Sequence, residues 1–254
     1  MTDSTPPGRE LLARRFRQLG EMGSGPVLLS GMTRQEVLTW FRELETAEAV
    51  PAPSHVRPQL QQAVPLPPLP STHEALRDLC LSCTRCPLHE GRTQVVFSDG
   101  VPTANLMVVG EAPGANEDRT GRPFVGAAGK LLDLLLASVG LSREESVYIC
   151  NVLKCRPPGN RDPQPAEIRE CSPYLLKQVE VVAPRAILAV GSFSGRLLTG
   201  QESAPLSRLR GEVHRYEGVP LVVTYHPAAL LRNRSWTRET WDDLQLLRGV
   251  LDAA

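Results

Sequence analysis

Six cysteines lie between residues 80 and 171: the run Cys80-Leu-Ser-Cys83-Thr-Arg-Cys86, then Cys150, Cys155 and Cys171. In a reducing compartment disulfides are rare, so spaced thiols read first as metal ligands. Cys83-x2-Cys86 with Cys155 and Cys171 supplies four thiolates, enough to close a tetrahedral zinc site or an iron–sulfur cluster. Spacing alone does not choose between those metals. Cys80 extends the pair to C-x2-C-x2-C-Pro, and Cys150 falls in an apolar run where a buried free thiol is the usual outcome.

Between and beyond the cysteines stand glycine-rich loops carrying Glu, Asn, Phe and His. The loop Gly110-Glu111-Ala112-Pro-Gly-Ala-Asn-Glu117-Asp118 lacks the Walker lysine and lacks G-x-G-x-x-G, so nucleotide-cofactor binding has little support. Its carboxylates, Glu111 and Glu117, suit acid–base work or the holding of a water, or are simply solvated acids on a turn. Thr120-Gly-Arg-Pro-Phe124-Val-Gly-Ala-Ala-Gly129 presents one aromatic, which could stack on a flat base or anchor the core. Asn151 offers a donor and an acceptor, as reading a pyrimidine edge requires, although a lone Asn more often caps a turn. His226 precedes Pro227, which biases it toward extended backbone, and leads into Ala-Ala-Leu230-Leu231-Arg232-Asn233.

These residues need a scaffold, and the apolar pattern provides one. Four short runs, Leu106–Val109, Val147–Cys150, Ala186–Val190 and Leu221–Thr224, read as buried parallel strands. Helical stretches follow at Ala127–Val139, Pro165–Val182 and Phe193–Leu198, with a last one at Thr237–Leu251. Strands alternating with helices predict a parallel sheet covered on both faces. Ligands bind beyond the carboxyl ends of such strands, which is where Gly110, Asn151, Gly191 and His226 fall.

The N-terminal part reads differently. Residues 1–50 predict a small helical appendage, with Thr33-Arg-Gln-Glu36 as a capping box, and 51–70 hold seven prolines, a semi-rigid linker. The main domain is expected over 71–254, opening on a second capping box, Ser71-Thr-His-Glu74. The chain carries 41% hydrophobic residues and a formal net charge of zero, so a nucleic-acid surface here would be a local patch. No apolar run approaches the roughly 18 residues of a membrane helix, and without a basic stretch followed by an apolar one near Met1 no secretory signal is expected. A cytoplasmic, nucleoid-associated protein without membrane contact is expected.

Five motifs in order carry a resemblance: Gly110-Glu-Ala-Pro-Gly114; Glu117-Asp118; Gly121-Arg-Pro-Phe-Val-Gly126; Asn151 with Lys154-Cys-Arg-Pro-Pro158; and His226-Pro-Ala-Ala-Leu-Leu-Arg-Asn233. Together they resemble the family 4, iron–sulfur uracil-DNA glycosylases over roughly Leu79 to Leu251. The resemblance implies an α/β fold, a three-layer α/β/α sandwich with a four-stranded parallel central sheet. It also implies a 4Fe-4S cluster on Cys83, Cys86, Cys155 and Cys171. By the same resemblance Phe124 would stack on a flipped uracil bordered by Gly110 and Ala112, Asn151 would read its edge, and His226 would stabilise charge at O2. Glu111, Glu117 or a backbone group would position the water. Leu230, Leu231 and Arg232, with Asn233, would contact DNA where the base has left. The implied activity is monofunctional uracil excision, the first step of base excision repair, by a monomer acting on uracil-containing DNA. Residues 1–70 would be available to a repair partner. A glycosylase for other deaminated bases and a non-catalytic DNA-binding module are the rival readings.

Overall fold

The computed structural model describes residues 69–253. The helical appendage expected over 1–50, and all but the last two residues of the proline-rich segment, lie outside the described residues. The first element is α1 (His73–Leu81), and its N-cap is Thr72, whose hydroxyl accepts from the Ala75 amide at 3.3 Å. The cap therefore sits one residue later than the expected Ser71. A short helix α2 (Leu88–Gly91) follows.

Six strands form one sheet: β1 (Asp99–Gly100), β2 (Leu106–Gly110), β3 (Val147–Asn151), β4 (Ala186–Val190), β5 (Val213–Tyr216) and β6 (Val219–Thr224). Their order is β1-β3-β2-β4-β6-β5. The four expected strands are the inner members, paired parallel in register from Gly110 opposite Asn151 to Val190 opposite Thr224. The sheet is nonetheless mixed and six-stranded, not the four-stranded parallel sheet expected, because β1 and β5 add antiparallel edges. Neither edge strand carries an apolar run: β1 is two residues long, and most of β5 is exposed or half-exposed. The β5–β6 hairpin turns through Glu217 and Gly218, both at positive φ, as a two-residue turn between twisted strands requires.

Along β2, Met107 and Val109 enter one hydrophobic cluster while Leu106 and Val108 enter another. Period-two alternation puts these on opposite faces, so both faces are covered. One cluster takes residues of α1 and of α5 (Pro165–Val182); the other takes residues of α4 (Ala127–Ala137) and α9 (Thr237–Ala253). This is the three-layer α/β/α arrangement. The remaining helices are α3 (Ala115–Thr120), α6 (Ser192–Thr199) and α7 (Leu206–Leu209), the last two adding Leu198 and Leu209 to the first cluster, and α8 (Pro227–Arg232), which lies against α4. Among the described residues no helix is long and apolar enough to cross a membrane.

Candidate active site

The carboxyl ends of the parallel strands open into a cleft of about 730 Å³. Glu111, Ala112, Glu117, Phe124, Asn151, His226 and Arg232 all line it, drawn there from four separate stretches of the chain. Gly110 lies beneath them: a side chain there would strike the Asn151 amide oxygen and come within 2.6 Å of the Phe124 ring. Its bareness lets the Asn and the Phe close over the strand end.

Phe124 is 7% exposed and has a φ of 53°, a left-handed conformation that a bulky residue rarely adopts. Two side chains of opposite charge hold it there. One Glu117 oxygen accepts from the amides of Val125 and Gly126 at 2.9 and 3.0 Å. Arg143, itself 7% exposed, donates to the carbonyls of Pro123 and Phe124, each at 2.9 Å. The guanidinium is balanced by Asp99 at 2.8 Å and Asp133 at 2.9 Å. Gly129 completes the mould, since any Cβ there would collide with the Phe124 carbonyl. Nothing in the sequence marked Arg143, because its partners sit 10, 19, 20 and 44 residues away.

His226 stacks beside Phe124, ring centroids 5.7 Å apart and planes 29° from parallel. It is the N-cap of α8, and its Nδ1 accepts from the Ala228 amide at 3.1 Å. Nδ1 is therefore an acceptor, and the proton of the neutral ring belongs to Nε2. Burial, with the nearby Arg232 charge, lowers its pKa to about 4, while Glu117 opposes the shift. Gly191 at the end of β4 makes room for it, since a Cβ there would sit 3.2 Å from the His226 Cβ. Across the cleft, burial and then the negative charge of Asp162 raise the pKa of Glu111.

Asn151 is 2% exposed at the end of β3. Its carbonyl accepts from the buried Lys154 ammonium at 2.5 Å, and that ammonium also donates to Gln178 at 2.6 Å. Gln178 in turn donates to the Tyr148 hydroxyl at 2.8 Å. The chain of polar groups ties the strand end to α5, and its only trace in the sequence is a lysine near Asn151.

The expected DNA-contacting residues do not stay together. Leu231 is 50% exposed and Arg232 is exposed, but Leu230 is 3% exposed and packs inward. Both leucines lie on the helix α8, where successive side chains point about 100° apart, so they cannot share a face. Leu230 is thus not free to enter a groove. Asn233 uses its side-chain oxygen to accept from the Ser235 amide at 3.1 Å and from the Ser235 hydroxyl at 2.7 Å.

The cysteine expectation also needs correction. Cys80, Cys83, Cys86, Cys155 and Cys171 do converge on one cavity, but it measures about 20 Å³, room for about one water. Among the described residues no group of three or more His, Cys, Asp or Glu is arranged to hold a metal ion, and all six cysteines are free. Donors already engage two of the sulfurs: Arg92 reaches Cys155 Sγ at 3.3 Å, and the Lys154 amide reaches Cys171 Sγ at 3.3 Å. Burial pushes the Cys155 thiol up and the Cys171 thiol up to about 12, away from the thiolate a metal requires. The residues as arranged do not fit the expected 4Fe-4S cluster. The four expected cysteines are joined in this cavity by Cys80, which the expected ligand set left out.

With this geometry in hand, the comparisons with known proteins are specific. A family model for the Uracil DNA glycosylase superfamily matches residues 97–245. The chain is 42% identical over 183 residues to the Type-4 uracil-DNA glycosylase of Sulfurisphaera tokodaii, covering 69% of this chain and 83% of that protein. It is 46% identical over 168 residues to the Type-4 uracil-DNA glycosylase of Archaeoglobus fulgidus, covering 63% and 83%. The Type-4 uracil-DNA glycosylase of Pyrobaculum aerophilum is 43% identical over 183 residues, covering 69% and 93%. The chain belongs to the uracil DNA glycosylase superfamily, and within it to the type-4 line.

Proposed function

We propose that this chain hydrolyses the N-glycosidic bond of deoxyuridine in DNA, releasing uracil and leaving an abasic site. The observation that carries this reading is a neutral His226, its Nδ1 already occupied, facing the same cleft as Phe124 and Asn151 in a chain of this superfamily. A base inside a duplex must first leave the stack, at a cost of a few kcal/mol. Phe124 gives the extruded ring a flat apolar surface, and the Asn151 amide supplies a donor and an acceptor for the pyrimidine edge.

Bond cleavage leaves negative charge on the uracil oxygens and positive character on the sugar. The His226 Nε2–H is a fixed donor for that developing charge and need not shed a proton first. An imidazolium would bind the substrate's neutral carbonyl as well, and would be harder to bury. Water then attacks the sugar's anomeric carbon and passes its proton to the carboxylate that holds it. Glu111 is the carboxylate we assign to hold it, because one oxygen of Glu117 is already committed to the Phe124 loop. We assign exposed Leu231 and Arg232 to contact the duplex where the base has left.

The reading is tested by incubating the protein with oligonucleotides carrying U·G, U·A, single-stranded U or hypoxanthine, followed by alkali. Strand scission at uracil is expected, and His226→Ala should lower kcat by about 10²–10³ with little loss of affinity for abasic DNA. An intact uracil strand with the wild-type protein would refute the function, and scission at hypoxanthine alone would redirect it.

The rate should also fall on the acid side with Glu111, not with histidine. His226 stays neutral down to about pH 4, whereas the raised Glu111 pKa places its protonation above the ordinary carboxylate range. Activity is therefore present above the Glu111 pKa and lost as pH falls through it. Glu111→Gln should leave a slow, flat profile over that limb. A limb centred near pH 6.5 that survives in Glu111→Gln would contradict both assignments.

Arg143→Lys should act through the Phe124 loop. One ammonium cannot serve two carbonyls and two carboxylates at once. Inhibition by free uracil is expected to weaken about tenfold, an effect of order 1 kcal/mol for a misplaced stack, with abasic-DNA affinity unchanged. Equal loss of both would point to general unfolding.

A further inference from the structure

We propose that Trp236 is the platform for a second nucleobase, the one flanking uracil on the same strand; this rests on the reading of the cleft given above. The indole stacks on Tyr225 with ring centroids 4.7 Å apart and planes 3° from parallel. The Arg210 guanidinium lies 4.2 Å from the centre of the same Tyr225 ring. A ring face covered by the indole has no room for a guanidinium, so the two must occupy opposite faces. Arg210 is itself fixed, donating to Asp243 at 2.7 Å, and Asp243 is 1% exposed and also accepts from the Thr224 hydroxyl at 2.7 Å.

The result is a three-layer stack anchored in the core at its Arg210 end. Both faces of Tyr225 are covered, so the stack can grow only from the indole. That indole is partly exposed and lines the same cleft as His226. The cleft, at about 730 Å³, is far larger than one pyrimidine needs. The turn bearing Trp236 does not depend on the stack for its shape, because Asn233 already caps it. An open aromatic face beside a cationic brace is how single-stranded nucleic acid is commonly gripped, and it tolerates any base. The platform favours single-stranded uracil, since a flanking base in a duplex must first give up its own partner.

The test uses the full chain and single-stranded oligonucleotides with a 2′-fluoro deoxyuridine analogue that resists cleavage, carrying 2-aminopurine on one flank or the other. At one flank, fluorescence in the complex should be lower with wild type and Trp236→Phe than with Trp236→Leu. Trp236→Leu should bind the single strand roughly tenfold more weakly, with a smaller loss on duplex. Inhibition by free uracil should stay within about twofold of wild type, well under the effect of a lost stack. The proposal is overturned if Trp236→Leu binds and quenches like wild type, if neither flank responds to the substitution, or if free-uracil inhibition weakens in step. Wild-type protein that quenches the probe yet leaves a cleavable uracil strand intact would instead contradict the assigned function.

Discussion

The Ala228 amide donates to Nδ1 of His226, and the chemistry proposed for the cleft depends on that one hydrogen bond. It comes from the first turn of α8, whose free N–H groups would otherwise lack partners. By occupying Nδ1 it leaves the ring proton on Nε2. Burial and the Arg232 charge then keep the ring from taking up a second proton. A donor that is already oriented, and already desolvated, loses nothing by reorganising as charge develops beside it. The backbone of β6 delivers the residue, Pro227 extends it, and bare Gly191 lets it settle against β4. The same burial carries a stability consequence. A histidine whose pKa is depressed on folding stabilises the fold fully above about pH 6.5, and that contribution is lost as pH falls toward about 4.

The facing wall depends on a strained backbone that its surroundings over-determine. A left-handed φ at a phenylalanine costs about 1–3 kcal/mol. Two hydrogen bonds to Glu117 and two from Arg143 offset it, each net worth about 1.5–3 kcal/mol because one partner is charged. Both clamps bind main chain, so they fix the loop's path and leave the ring free to present its face. Charge balance explains why Arg143 can be buried at all: Asp99 and Asp133 share it, and against the raising effect of burial Arg122 and Arg143 together hold the Asp99 carboxyl below the usual range.

Much of this was legible in the sequence, for definite reasons. Three inner strands are fully buried and β6 is buried from Leu221 to Thr224, so they appear as short aliphatic runs, and the loops after them carry residues that a structural turn does not need. What escaped notice shares a different cause. β5 has no apolar run because it lies at the sheet edge, and Arg143 looks like a surface charge until its distant partners are placed. Leu230 and Leu231 read as a pair, yet helical geometry sends them to opposite environments. The four cysteines expected to hold a cluster share a cavity with Cys80, but the 4Fe-4S group implied by the resemblance does not fit the 20 Å³ left between the side chains, a volume that thiol spacing does not encode.

The central claim is that His226 works as a neutral donor through Nε2–H. The direct measurement is a nitrogen-15 NMR titration of the histidine imidazoles, with the His226 signals assigned by comparison with His226→Gln. The account predicts an Nε2-protonated neutral ring from pH 8 downward, with a midpoint near 4. A ring that titrates near 6.5, or that carries its proton on Nδ1, would contradict it.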